Sequence, residues 1–133
     1  MRTLSHCLAF FLAAMSAAAP GAACAGDVIG HPSVTLTVDE VKELYLGDKQ
    51  LAGGLQLLPV DNAAQQADFL SRVLGVDATR YATRWTKKAF REGLSAPALK
   101  GGDVEVGAFV KANPGAVGYV TAAQPGQRVL GKY

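Results

Sequence analysis

Five cations on one predicted helix form the most concentrated chemical pattern in this sequence. In "DATRYATRWTKKAFREG", Arg80, Arg84, Lys87, Lys88 and Arg91 stand at offsets 0, 4, 7, 8 and 11. At about 100° per residue they fall within an arc of roughly 100°, with Tyr81, Trp85 and Ala89 on the adjoining side. Like charges at i, i+4 oppose helix formation by about 0.2–0.5 kcal/mol per pair. Only Asp77 lies near enough in sequence to offset them. Such a face suits an acidic partner protein, anionic lipid or glycolipid head groups, or an anionic ligand. It equally suits a solvated face whose long stems cover apolar surface and whose charges pair with carboxylates from elsewhere in the fold. Tyr81 and Trp85 could line a ligand, but their helical spacing is that of core packing.

A second candidate lies in "LQLLPVDNAAQQADFL", Leu55 to Leu70, which reads as a strand running through a short turn into a helix. Backbone N–H groups at such a helix start can hold an anion. Asp61, Asn62, Ala63 and Gln65 are therefore candidate ligand-binding residues, through the amides near Ala63 to Gln65 and the side chains of Asn62 and Gln65. The helix dipole favours an exposed anion by about 0.3–1 kcal/mol, and an unpaired Asp61 carboxylate would oppose it by a similar amount. The competing reading is that Asp61 or Asn62 caps the helix.

Other chemistry is sparse. His31 is the one histidine after the N-terminal segment, beside a proline and with no second histidine or cysteine near it, which makes a poor metal site. No nucleophile motif surrounds Ser33, Ser71 or Ser95. "AGG" and "KGG" lack the Lys-Ser/Thr of a phosphate-cradling loop. The expectation is a protein that is not an enzyme and has no cofactor and no metal.

Residues 1–25 read as a signal peptide: Arg2, an apolar run from Leu8 to Met15, then small residues ending in Ala23-Cys24-Ala25. That run is shorter than the roughly 20 residues a membrane-spanning helix needs. "GAAC" lacks the large aliphatic residue normally found three positions before a lipidated cysteine, which argues against a lipoprotein. Cys7 and Cys24 both fall in this segment, leaving residues 26–133 without a disulfide, a thiol nucleophile or a cysteine metal site. Removing Arg2 leaves twelve of the thirteen Lys and Arg against eleven Asp and Glu, nearly neutral, so a bulk nucleic-acid binder is not expected. The reading is of one exported, periplasmic domain over residues 26–133.

The elements that must position these groups alternate. "DVIGHP" reads as a strand, and "TVDEVKELYLG" as a helix with Thr37 and Glu40 at capping-box spacing and Gly47 as its stop. "DKQLAGG" reads as a turn and "LQLLPV" as a strand. A helix after Asn62 carries Ala67, Leu70 and Leu74 on one side, with Phe69 and Val73 beside them, and ends at Gly75. The cationic helix runs from Asp77 to about Arg91. "EGLSAPALKGG" reads as a loop, "DVEVGAFVKA" as a helix with Val106, Phe109 and Val110 inward, "AVGYV" as a strand and "QRVL" as an edge strand. Strands separated by helices favour an α/β sandwich with a partly parallel sheet.

Taken in order, "VDEVKELYLGDKQLAGG", "LQLLPVDNAAQQADFLSRVLG", "RYATRWTKKAFREG" and "VGAFVKANPGAVGYV" resemble one lobe of the periplasmic phosphate-binding proteins of ABC transporters. They resemble more closely the short, secreted, single-lobe domains related to them. "NPGAVGYV" is the most specific element. The resemblance implies a small α/β lobe of the type II periplasmic-binding-protein-like fold, with a mixed, mostly parallel sheet flanked by helices. In the full-length phosphate binders the turn matching "PVDNAAQQADF" resembles Arg-x-Asp-x-Ser-Gly-Thr. Here Asp61 matches, the arginine is absent and the hydroxyl residues are replaced. Two functions follow as expectations. One is a solute-binding-protein-like module for phosphate or another small anion, its anion loop degenerate, where a homodimer could complete the cleft. The other is a periplasmic adaptor or sensor module that meets an acidic periplasmic or membrane protein and holds no small molecule.

Overall fold

The computed structural model describes residues 25–133, so the expected signal peptide and Cys24 lie outside the described residues. Five strands form the main sheet: β1 (Asp27–Gly30), β4 (Leu58–Asn62), β5 (Ala98–Lys100), β6 (Ala116–Val120) and β7 (Arg128–Lys132). Their order is β5-β4-β6-β1-β7. β4 pairs in parallel with β5 and β6, whereas β1 runs antiparallel to β6 and β7. Four of the five strands therefore point the same way. The architecture is α/β with a mostly parallel sheet, in agreement with the sequence reading. A two-stranded hairpin, β2 (Leu51–Ala52) with β3 (Leu55–Gln56), lies where a plain turn was expected.

Helices cover both faces. α1 (Val38–Tyr45) begins at Thr37, whose hydroxyl accepts from the Glu40 amide while the Glu40 carboxylate accepts from the Thr37 amide. This is the expected capping box, closed by Gly47 at φ +79°. α3 (Ala78–Glu92) is capped by the Asp77 carboxylate on the Arg80 amide. α4 (Asp103–Ala112) lies across β6, β4 and β1. Side chains alternate along the strands, as the two-residue period requires. Val28, Val117 and Tyr119 join Val41, Leu44, Tyr45, Phe69, Tyr81 and Trp85 on one face. Ile29, Val60, Ala116 and Val120 join Val106 and Val110 on the other.

Three local expectations need correction. "EGLSAPALKGG" contains β5, a three-residue edge strand rather than only a loop. The helix after Asn62 is one α turn, α2 (Gln66–Phe69), which widens into a π turn at Leu70–Leu74. The wider turn changes which residues face inward: Phe69, Leu70 and Leu74 are buried, and Ala67 is exposed. Val38, which helical spacing groups with Val41, Leu44 and Tyr45, does not share their burial and stands 42% exposed.

The "NPGAVGYV" stretch has a physical logic. Asn113 donates to the Phe109 carbonyl at 2.8 Å and closes α4. Gly115 sits at φ +84° against the Gln56 carbonyl, where a side chain would be strained and crowded. A Cβ on Gly118 would stand 2.5 Å from Val106 Cγ1, so glycine there lets α4 approach the sheet.

Candidate functional site

The carboxyl end of β4 is a topological switch point. One crossover leads from β4 through α2 and α3 to β5; the next leads from β5 through α4 back past β4 to β6. Crevices at such points are where open α/β sheets bind ligands, and Asp61, Asn62, Ala63 and Gln65 all lie there.

Asp61, 2% exposed, turns inward. Its Oδ2 accepts the Tyr81 hydroxyl and its Oδ1 the Tyr119 hydroxyl, both at 2.8 Å. Burial pushes its pKa above the ordinary 3.8, and the hydrogen bonds from Tyr119, Tyr81 and Gln66 only partly oppose that rise. The same burial, together with the neighbouring Asp61 charge, pushes both phenols well above the usual tyrosine range. Tyr45, below them, donates to the Val60 and Val117 carbonyls at 2.7 and 3.1 Å and bridges β4 to β6. Phe69 stacks on Tyr119 with ring centres 3.9 Å apart, and Tyr45 meets Phe69 edge-on at 4.8 Å. Asp61 is thus the polar centre of an aromatic core, and it caps no helix.

Asn62, fully buried, donates from Nδ2 to Asp103 Oδ1 at 2.8 Å and to the Tyr119 carbonyl at 3.0 Å. Its Oδ1 accepts the Ala64 amide at 3.0 Å, shaping the turn two residues before α2. The candidate anion-holding amides are engaged in the same way. Ala63 N–H donates to the Lys100 carbonyl at 2.8 Å, and Gln65 N–H to the Asn62 carbonyl at 3.0 Å. The Gln65 side chain accepts from the Tyr133 hydroxyl at 3.3 Å.

Asp103, which the sequence reading passed over, completes the crevice. At the first position of α4, its carboxylate accepts Asn62 Nδ2 and the Thr121 amide, the latter at 3.0 and 3.1 Å to its two oxygens. A carboxylate of the chain itself therefore stands among the donors that would meet an external anion. Near Gln65, burial first and then the charges of Asp103, Asp68 and Asp27 push the Tyr133 hydroxyl above its ordinary value, with the Arg72 charge opposing them. "GGDVEV" marks Asp103 as a favourable first-turn acid, but its contacts to β4 and β6 carry no local signal.

The five cations of α3 divide. Arg84 Nε donates to the Leu46 carbonyl at the end of α1 at 2.7 Å, and its Nη2 reaches both Asp48 oxygens at 2.9 and 3.0 Å. Lys88 Nζ lies 3.0 Å from Asp48 and 3.1 Å from Glu92, and these bonds raise its pKa. Arg80, Lys87 and Arg91 are exposed and have no ion pair among the described residues. Tyr81 and Trp85 are buried, as their spacing implies, and Trp85 donates to the Tyr45 carbonyl at 3.1 Å.

The histidine is engaged locally: the Ser33 hydroxyl stands 2.7 Å from His31 Nδ1 and accepts the Gly115 amide, so the pair braces a turn. Among the described residues no three His, Cys, Asp or Glu side chains gather to hold a metal ion, and no helix is long and apolar enough to cross a membrane. No family model matches this chain, and a search of curated proteins finds no match either.

Proposed function

We propose that this chain is an exported lobe of the type II periplasmic-binding-protein-like fold that works as an interaction module, an adaptor or sensor domain, and not as a phosphate carrier. The observation that carries this reading is the Asp103 carboxylate among the donors at the β4 switch point. With the Ala63, Ala64 and Gln65 amides all engaged internally, an incoming anion would have to displace the bonded Asp103 carboxylate. The solute-binding alternative rests on the sequence resemblance, and on Asp61 at its matching position.

Amide NMR during a phosphate titration tests the choice. The expected result is no saturable shift of Ala63, Ala64, Gln65 or Thr121 through millimolar phosphate. Saturable shifts at those amides overturn the adaptor reading and restore the solute-binding one, and light scattering on the same samples shows whether a second copy completes the cleft.

A further inference from the structure

The bond that signal removal would cut, between Ala25 and Gly26, lies inside the folded domain. Ala25 and Gly26 both donate their backbone N–H to the Tyr133 carbonyl, Gly26 at 3.1 Å, and the Tyr133 N–H donates back to the Gly26 carbonyl at 3.0 Å. Gly26 is buried, and a Cβ there would collide with the Tyr133 hydroxyl and the Val120 carbonyl. The Tyr133 ring is itself held in place. It meets Phe69 edge-on with ring centres 5.4 Å apart and Tyr119 edge-on at 6.3 Å, and its hydroxyl donates to Gln65 Oε1 at 3.3 Å. On the far side of the bond Asp27 begins β1, which lies between β6 and β7. Asp27 is opposite Val120 on one neighbour and Lys132 on the other. Its carboxylate accepts the Ala123 amide at 2.8 Å and meets Lys132 Nζ at 3.3 Å.

We infer that the pairing of β1 with β7, latched by Tyr133, closes the Ala25–Gly26 bond to hydrolysis, so that removal of the leader has to precede folding. The inference goes beyond the adaptor reading and rests on its exported half. An enzyme that takes a peptide as an extended strand pairs with the peptide's backbone, and at Ala25 and Gly26 Tyr133 already holds that backbone. In the cut, water adds across the peptide bond: Ala25 leaves with a carboxylate, and Gly26 keeps the nitrogen as an amine. That amine can still donate to the Tyr133 carbonyl. Only the Ala25 bond is lost, so the cut chain keeps the pairing that starts β1. A chain that folds with its leader attached must instead reopen β1 before it can be cut. β1 is paired on both sides, so its start is not released as the end of an edge strand is. Opening it breaks contacts to β6 and β7 together, which places it far from the freely fraying limit of local unfolding. Cleavage then follows the small population of opened chain.

The test gives a signal peptidase, the class of endoprotease that removes such leaders, four substrates in detergent. They are the full chain refolded with residues 1–25 attached, the same chain with Tyr133→Ser, the same chain with Ile29→Asp, and a peptide of residues 8–32. Tyr133→Ser removes the ring and keeps the backbone pairing. Ile29→Asp puts a carboxylate at a fully buried position of β1 and unfolds the domain, which circular dichroism verifies. Mass spectrometry should show the peptide and the Ile29→Asp chain cut between Ala25 and Gly26. The refolded chain should be cut roughly 100-fold more slowly, and Tyr133→Ser should restore roughly 10-fold of that loss. Cutting of the refolded chain within a few-fold of the peptide overturns the inference. So does an Ile29→Asp chain as resistant as the folded one, since the leader and not the fold would then be the barrier, or a Tyr133→Ser chain cut no faster than wild type. A peptide left intact, or cut elsewhere, refutes the exported reading and the inference with it. Rapid cutting of the refolded chain refutes the inference alone and leaves the exported reading standing.

Discussion

Tyr81→Phe removes one hydroxyl from the Asp61 carboxylate and leaves the ring in place, so it isolates a single hydrogen bond inside the aromatic core. A bond to a charged group contributes about 1.5–3 kcal/mol and one between neutral groups about 0.5–1.5 kcal/mol. The Tyr81 hydroxyl is 2.8 Å from Asp61 Oδ2, and Asp61 is buried, so bulk water does not replace the lost donor. Above the raised folded-state pKa, where Asp61 is ionised, the expected cost is about 2 kcal/mol, or a fall in Tm of roughly 8 °C for a domain of this size. In acid, with Asp61 protonated, the cost should drop to about 1 kcal/mol. Urea unfolding of wild type, Tyr81→Phe, Asp61→Asn and the double variant at two pH values closes a cycle whose coupling energy should be about 1 kcal/mol at the higher pH. A cost at the higher pH below about 0.5 kcal/mol, or one that does not change with pH, refutes the assignment of Asp61 as an internal acceptor. A ligand-binding Asp61 would give that result, because its worth would appear only with ligand present.

Three further outcomes follow from the same contacts. Because burial holds the Asp61 pKa above 3.8, its contribution to stability is complete below that ordinary value and is lost as pH rises through the raised folded-state value. Wild type should therefore lose Tm relative to Asp61→Asn over that window, and parallel melting curves would contradict the burial effect. Gly118→Ala places a Cβ 2.5 Å from Val106 Cγ1, an overpacking that costs about 1–3 kcal/mol. Adding Val106→Ala should recover part of it in thermal melts, and strictly additive losses would show that α4 is not what demands glycine. Asp48→Ala should lower the Lys88 ammonium pKa toward the ordinary lysine value, read by NMR titration of the side-chain nitrogen, since Asp48 is the larger cause of its rise and Glu92 the smaller one that remains. An unchanged titration would mean that the pair is not held in solution.

What was legible in the sequence was what depends on neighbours. Thr37 and Glu40 are three residues apart, so the capping box could be read directly, as could the stop at Gly47 and the buried pair Tyr81 and Trp85. β5 was hidden because three residues are too few to show alternation, and Pro97 and two glycines surround them. The π turn was hidden because it needs only one additional residue per turn, enough to bury Phe69 and release Ala67 while leaving the apolar pattern helical. The candidate site was legible in place and not in content. Asp61 and Asn62 were located at a strand-to-helix junction, but what they bind was set by Tyr119 and Asp103, 58 and 41 residues away in sequence.

The same distinction explains why the cationic stripe divides as it does. A helical wheel treats Arg80 to Arg91 as equivalent cations, since it contains only one helix. Packing breaks the equivalence at Trp85, which anchors α3 beside the end of α1 by donating to the Tyr45 carbonyl. Arg84 and Lys88 are on the wheel positions that adjoin Trp85 and Tyr81. They are therefore the two cations brought against the Leu46 carbonyl and Asp48, where the negative end of α1 favours them. Arg80, Lys87 and Arg91 are turned away from that junction and gain nothing from it. Fold stability accounts for two of the five charges and leaves three without a structural role, together with an exposed phenylalanine. A surface with that residue of unexplained charge and apolar area is where selection for a partner, rather than for the fold, would leave its mark.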